Sequence, residues 1–279
     1  MTGVALELAA IAGVFGLLIG SFLNVVIYRV PAGKSIVSPA SACPNCGSGI
    51  AAYDNVPVVS WLVLRGKCRD CRTPISARYP LVELGTGAAF FVVALFFSRA
   101  ILNTPSTSTA IAALLVLVAY LYFAAIGVAL ALIDVDSHKL PNAIVLPAYI
   151  VGAVLLIAAS VVGGDYAALL RSGIAMAALA LIYFIVAFAW PGGMGLGDVK
   201  LAGVLGIFLG WVGWGPLVVG SFSAFVLGGI FGVILIASKR GNRKSGIPFG
   251  PWMLVGAWIG VFFGNQIWSG YLSLFGLAA

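Results

Sequence analysis

The sequence predicts an all-α, polytopic membrane protein of about eight transmembrane helices with one small polar insert. Three observations carry this. Of 279 residues, 62% are hydrophobic and only 8% charged, against about 25% charged in soluble domains. Apolar runs of roughly 20 residues, enough to cross a bilayer, recur along the whole chain, and the mean hydropathy is +1.14. The one substantial polar stretch is 29–80. In such a chain a net charge of +7 reports topology, and no nucleic-acid partner is expected from it.

The apolar runs fall at 4–28, 81–102, 109–133, 142–163, 173–190, 198–217, 219–237 and 250–275. Most contain glycine and alanine, which let helices approach closely in lipid. The first run is too long, and lacks the small-residue cleavage site, for a removable signal peptide. The chain therefore divides into a first transmembrane helix (1–28), an insert (29–80) and a helical bundle (81–279).

Lysine and arginine set the expected orientation. With the N-terminus outside, the cytoplasmic side holds Arg29, Lys34, Arg65, Lys67, Arg69, Arg72, Arg78, Lys139, Lys200, Lys239, Arg240, Arg243 and Lys244. That is 13 of the 15 basic residues. Arg99 and Arg171 fall outside. The positive-inside rule favours this arrangement and makes the insert cytoplasmic.

The topology then gives meaning to two of the eight acidic residues. Asp134 ends the third run, in LIDVDSHKLPN (132–142), and Asp198 opens the sixth, in GMGLGDVK (193–200). Between them the chain crosses out and returns, so both belong to the cytoplasmic end of the bundle. Ionisable groups beside apolar spans are costly and usually face a partner or a wet cavity. Pro141 suits the first turn of a new helix. The glycines around Asp198 permit positive φ and close backbone approach, which would bring a substrate backbone to the carboxylate. Two carboxylates in a partly dry site share a proton, one as base and one as acid. Such a pair can activate water against a peptide carbonyl. Other roles exist for each residue. Asp198 can cap its helix, Asp134 or Asp136 can face headgroups, and His138, the only histidine, can be a solvated loop residue.

The four cysteines make two CxxC pairs, Cys43 with Cys46 and Cys68 with Cys71. Four thiolates suit tetrahedral, structural zinc with no open position. A reducing cytoplasm disfavours the alternative, disulfides. Tyr53, Val58, Val59, Trp61, Leu62 and Leu64 are the expected small core of this insert, which would need the metal to hold its fold.

The segments GSFLNVVIYRVP (20–31), CPNCG (43–47), CRDC (68–71), RYPLVELGTG (78–87), LIDVDSHKLPN and GMGLGDVKL follow one another in this order. In that they resemble the bacterial type IV prepilin peptidases, over roughly residues 16 to 237. The resemblance implies a multi-pass aspartic protease of the bacterial inner membrane. Its substrates would be type IV prepilins or pseudopilins, cut at their basic leader on the cytoplasmic side. Many members also N-methylate the new N-terminus with S-adenosylmethionine as cofactor. The family's catalytic aspartates match Asp134 and Asp198, the second within a GxGD motif read here as Gly195-Leu196-Gly197-Asp198. Asn142 stands where many members carry aspartate.

Ser21, Asn24 and Glu83 are polar residues in or beside apolar runs. They are candidates to line a methyl-donor site, or to make interhelical hydrogen bonds. Asp54 and Asp70 can touch a basic leader or serve turns. Membrane lipids are expected partners. Two other function classes are a proton-coupled transporter, although no inverted repeat is visible, and a noncatalytic membrane scaffold docking partners through its zinc module. The scaffold leaves the two aspartate turns unexplained.

Overall fold

The computed structural model describes residues 2–189, 194–238 and 248–277. Gly193 of the glycine-rich stretch, Trp190, and the basic residues Lys239, Arg240, Arg243 and Lys244 lie outside the described residues. Among those described, the fold is helical: α1 Thr2–Arg29, α2 Val59–Val63, α3 Arg78–Leu102, α4 Thr107–Ser137, α5 Asn142–Gly163, α6 Tyr166–Ala189, α7 Leu196–Val212, α8 Trp214–Ala237 and α9 Gly250–Ser273. A 3-10 turn covers Ala52–Asn55. Two isolated β-bridges occur among the described residues, both in the insert.

Among the described residues six helices, α1, α3, α4, α5, α6 and α8, are long and apolar enough to cross a membrane. The other two long helices occupy the remaining apolar runs. At 17 residues, α7 spans roughly 25 Å at 1.5 Å per residue, against about 30 Å of hydrocarbon. Two boundaries differ from the sequence reading. The break expected near 218 occurs at Gly213, which takes φ 158 between α7 and α8. Nothing in the apolar run marks that site except the glycine and Pro216, which fits the first turn of α8. Helix α6 begins at Tyr166, not at 173, because Asp165 caps it through a 3.0 Å bond from the Ala168 amide.

The chain forms two compact units, Met1–Ala129 and Leu130–Ala279. In the first, α1 and α3 pack along one another. A Cβ at Gly20 would lie 2.7 Å from Cα of Glu83. Helix α4 joins them through Phe97 and Tyr120, whose ring centroids are 4.5 Å apart.

In the second unit α7 is central, contacting α5, α6, α8 and α9. Every residue from Leu201 to Gly210 is buried. Arg171 explains itself here: its guanidinium donates to the carbonyls of Gly210 and Trp211, each at 2.6 Å. It thereby closes the carboxyl end of α7, where cations complement the helix dipole.

Close approach of α6 and α7 depends on Gly206, where a Cβ would meet the carbonyl oxygen of Ala175 at 2.5 Å. Backbone cannot yield as a side chain can. Gly206→Val is therefore expected to lower stability by about 1–3 kcal/mol, as overpacking does. A reduced melting temperature in lipid nanodiscs is the check.

Candidate active site and metal centre

Asp134 sits in the last turn of α4, buried at 5% exposure. The helix stops at His138, whose amide closes onto the Asp134 carbonyl at 2.8 Å while its φ turns to 51°. Asp136 is exposed, two residues on and so on another helix face. Lys139 and Leu140 lead to Pro141, the N-cap of α5, one residue earlier than its expected place in the first turn.

The Asp134 carboxylate points at the start of α9, where Oδ2 accepts the Gly250 amide at 2.9 Å. The Asp198 carboxylate, at the third position of α7, accepts the Gly195 amide at 3.0 Å through its own Oδ2. Each acid thus meets the positive end of a helix, which favours negative charge. The capping role open to Asp198 from sequence is realised.

Leu140 ties the arrangement together. A Cβ at Gly197 would lie 3.1 Å from its Cβ, and one at Gly250 would lie 3.3 Å from its Cδ2. The turn after Asp134 therefore packs against the amino ends of both α7 and α9. Asp198 lies within electrostatic reach of Asp134, and His138 within reach of Asp134. Among the described residues, Oδ1 of neither aspartate has a hydrogen-bond partner. The glycines beside Asp198 do not act through positive φ: Gly195 has φ −84, and Gly197 lies in the helix. What Gly197 provides is room for Leu140. Lys200 turns its ammonium to Asn142 Oδ1 at 3.0 Å.

Three contributors were missed from sequence. Gly250 donates to Asp134 and Phe249 is the N-cap of the same helix, and the only local signal was Pro-Phe-Gly-Pro (248–251), a helix-start pattern. Tyr183, 1% exposed, stacks near Phe225 at 5.4 Å and Phe249 at 6.4 Å. It lies within the field of Asp198, which is itself half-buried beside the exposed Gly195 and Leu196.

Gly250→Ala tests the bond to Asp134. The added Cβ would lie 2.8 Å from Asp134 Oδ2, so the carboxylate must move while the bundle stays intact. Misplacement by 1 Å can cost about 10²-fold in rate. A loss of this order in kcat, at unchanged melting temperature, is the expected result of a proteolysis assay.

In the insert, Sγ atoms of Cys43, Cys46, Cys68 and Cys71 lie within 4.8 Å of one another. The Cys43–Cys71 separation is 3.7 Å, and a zinc tetrahedron with 2.3 Å arms has edges of about 3.8 Å. The two CxxC turns repeat one geometry. Cys43 N–H donates to Ser48 and Cys68 N–H to Thr73, at 2.9 and 2.8 Å. The residue after each pair, Gly47 or Arg72, has positive φ. Hydrogen bonding to Thr73, then to Asn45, pulls the Cys71 thiol down to about 6. The donor set therefore fits a tetrahedral soft-metal site.

Arg69 clamps Asp54 with two bonds of 2.7 and 2.5 Å, joining the 3-10 turn to the second knuckle. That clamp holds the Asp54 carboxyl below the usual range. Asp70 is exposed.

The expected apolar core of the insert does not form: Tyr53, Val59 and Leu62 are exposed. Val58, Trp61 and Leu64 are only half-buried, and Trp61 packs over Gly66 with its indole N–H on the Ile75 carbonyl at 3.0 Å. A segment this small has too few residues to enclose them. Of the candidate methyl-donor residues, Asn24 donates to the Tyr79 carbonyl at 3.2 Å and Glu83 accepts the Val58 amide at 2.7 Å. Both bonds lie within unit one, the interhelical and loop hydrogen bonding that was the alternative role for these residues.

Comparison with known proteins identifies the family. Residues 14–97 match the Bacterial Peptidase A24 N-terminal domain, and residues 121–234 the Type IV leader peptidase family. Proteins named Prepilin leader peptidase/N-methyltransferase are similar along nearly the whole chain. The one from Aeromonas salmonicida is 35% identical over 93% of this chain and 92% of its own. That from Stutzerimonas stutzeri is 33% identical over 93% and 92%, and that from Pseudomonas aeruginosa 33% over 94% and 92%. No solved structure matches. The helical membrane fold, the four-cysteine cluster and the two aspartate turns all lie within these matched regions, and the chain belongs to the type IV leader peptidase family.

Proposed function

We propose that this protein is an intramembrane aspartic endopeptidase that removes the leader of type IV prepilins or pseudopilins, with Asp134 and Asp198 as its catalytic pair. One observation carries the assignment. Two acids from distant turns come within electrostatic reach, each with one oxygen held by a helix amide and the other unpartnered among the described residues. One ionised carboxylate takes a proton from water as the oxygen adds to the scissile carbonyl. The other, protonated, donates to the carbonyl oxygen, and a proton then passes to the leaving amine. The family assignment leaves the transporter and scaffold readings without support.

The same proposal orients the chain by its basic residues, with the N-terminus outside and the insert and both aspartates at the cytoplasmic face of the inner membrane. A prepilin places an apolar helix in the bilayer and a basic leader at that face, so the cut falls at the boundary where the acids stand. Zinc on Cys43, Cys46, Cys68 and Cys71 would be structural, closing the insert without entering the reaction. N-methylation of the new N-terminus completes the activity, by likeness to the bifunctional relatives. S-adenosylmethionine, when bound, supplies the methyl group.

The test is mass spectrometry of a full-length prepilin incubated with the purified protein in lipid. Loss of the leader, followed by one added methyl when S-adenosylmethionine is present, is expected. Uncut prepilin under conditions where the Pseudomonas relative cleaves it would contradict the proposal.

A further inference from the structure

The short helix α2 is built inside out. Val59, Leu62 and Val63 are 55%, 61% and 70% exposed, and their spacing places them on one face of a helix. Its polar residue points inward. Ser60 is buried, donating from Oγ to the Tyr53 carbonyl at 3.0 Å and accepting the Val56 amide at 3.1 Å. A helix facing water would show the opposite pattern.

Its position is fixed by a buried carboxyl group. The amide of Val58, just before α2, donates to Glu83 Oε2 at 2.7 Å. Glu83 lies five residues into α3 from Arg78, roughly 7–8 Å along the helix axis. At that level α3 exposes Leu81 and Leu84, the surface of a membrane-spanning helix. The attachment is also strained. Val58 has φ 62, and Val59 N–H closes a tight turn onto the Pro57 carbonyl at 2.6 Å. That backbone is unfavourable for a β-branched residue and persists only where its surroundings hold it. After α2 come Arg65, Lys67 and Arg72, all exposed.

We infer that α2 lies in the boundary between headgroups and acyl chains of the bilayer, with Val59, Leu62 and Val63 against lipid. The depth fixed by Glu83 matches the 5–10 Å at which interfacial helices seat their apolar face. Leu81 and Leu84 of α3 are exposed at the same level, and the basic residues that follow α2 suit anionic headgroups. The polar insert is thus fastened to the membrane surface beside α3. This holds whatever substrate the enzyme cuts, since it rests only on the membrane-spanning character of α3.

The test is photo-crosslinking of the full-length, zinc-loaded protein in vesicles of phosphatidylethanolamine and phosphatidylglycerol. A diazirine amino acid replaces Leu62 or, separately, Val63. Leu81 on α3 serves as the lipid-facing reference and Asp70 in the second knuckle as the water-facing one. Lipid adducts at both α2 positions should approach those at 81 and exceed those at 70 by at least about tenfold, as expected for side chains in the acyl boundary. Adducts no more frequent than at 70 would overturn the inference. So would crosslinks in place of lipid to a second copy of the chain or to added prepilin, which would make the face a protein-docking surface.

Discussion

Replacing Asp134 and Asp198 together is expected to cost leader cleavage no more than replacing either one. Each single asparagine variant should lose at least about 10³-fold in kcat, the scale of a positioned acid or base. Members of one catalytic unit fail non-additively, because the second loss removes nothing that still works. Asparagine keeps an acceptor for the helix amides that now bond the carboxylates, from Gly250 to Asp134 and from Gly195 to Asp198. The amino ends of α9 and α7 should therefore survive, and melting temperatures should change little. Multiplying losses in the double variant would mean two separate roles. Asp136→Asn should retain substantial activity, since Asp136 is exposed where Asp134 is buried. Single-turnover cleavage of a prepilin in lipid measures all four variants.

Zinc removal carries the second large effect. Purified protein should hold about one zinc per chain, and Cys68→Ser should lose it. The insert has no apolar core to fall back on, since Tyr53, Val59 and Leu62 are exposed. Zinc-site formation in small modules supplies about 10–16 kcal/mol of folding free energy. Its loss should open residues 30–77 to protease while the bundle stays inserted. Metal analysis with limited proteolysis reads both. Protein free of zinc, with Cys43 or Cys46 in a disulfide under reducing conditions, would defeat the assignment.

Much of this was legible in the sequence because its signals are local. Apolar runs marked the long helices to within a few residues at most ends, and the cysteine spacing announced a four-sulfur cluster. What stayed hidden was long-range or was masked by uniform apolarity. Nothing near Asp134 points to Gly250, its hydrogen-bond donor across 116 residues. The run through Gly213 reads as continuous hydrophobicity, so the α7–α8 break was misplaced. The glycines of GLGD suggested an unusual turn. Their backbone is ordinary, and the need they meet is the closeness of Leu140 to Gly197. The apolar residues of the insert were expected inside because burial is the default for such side chains. Around α2 that default fails, and a bilayer beside α3 supplies the physical reason.

Asp198 now has two roles competing for one carboxylate, a helix cap seen directly and a catalytic acid or base. Single-turnover cleavage by Asp198→Asn separates them. The substitution preserves the cap acceptor for Gly195 and removes only the ability to exchange a proton at neutral pH. The expected result is inserted, zinc-bound protein of near-normal melting temperature with cleavage reduced at least about 10³-fold. Cleavage at a near-normal rate would return Asp198 to capping alone and contradict the aspartic mechanism.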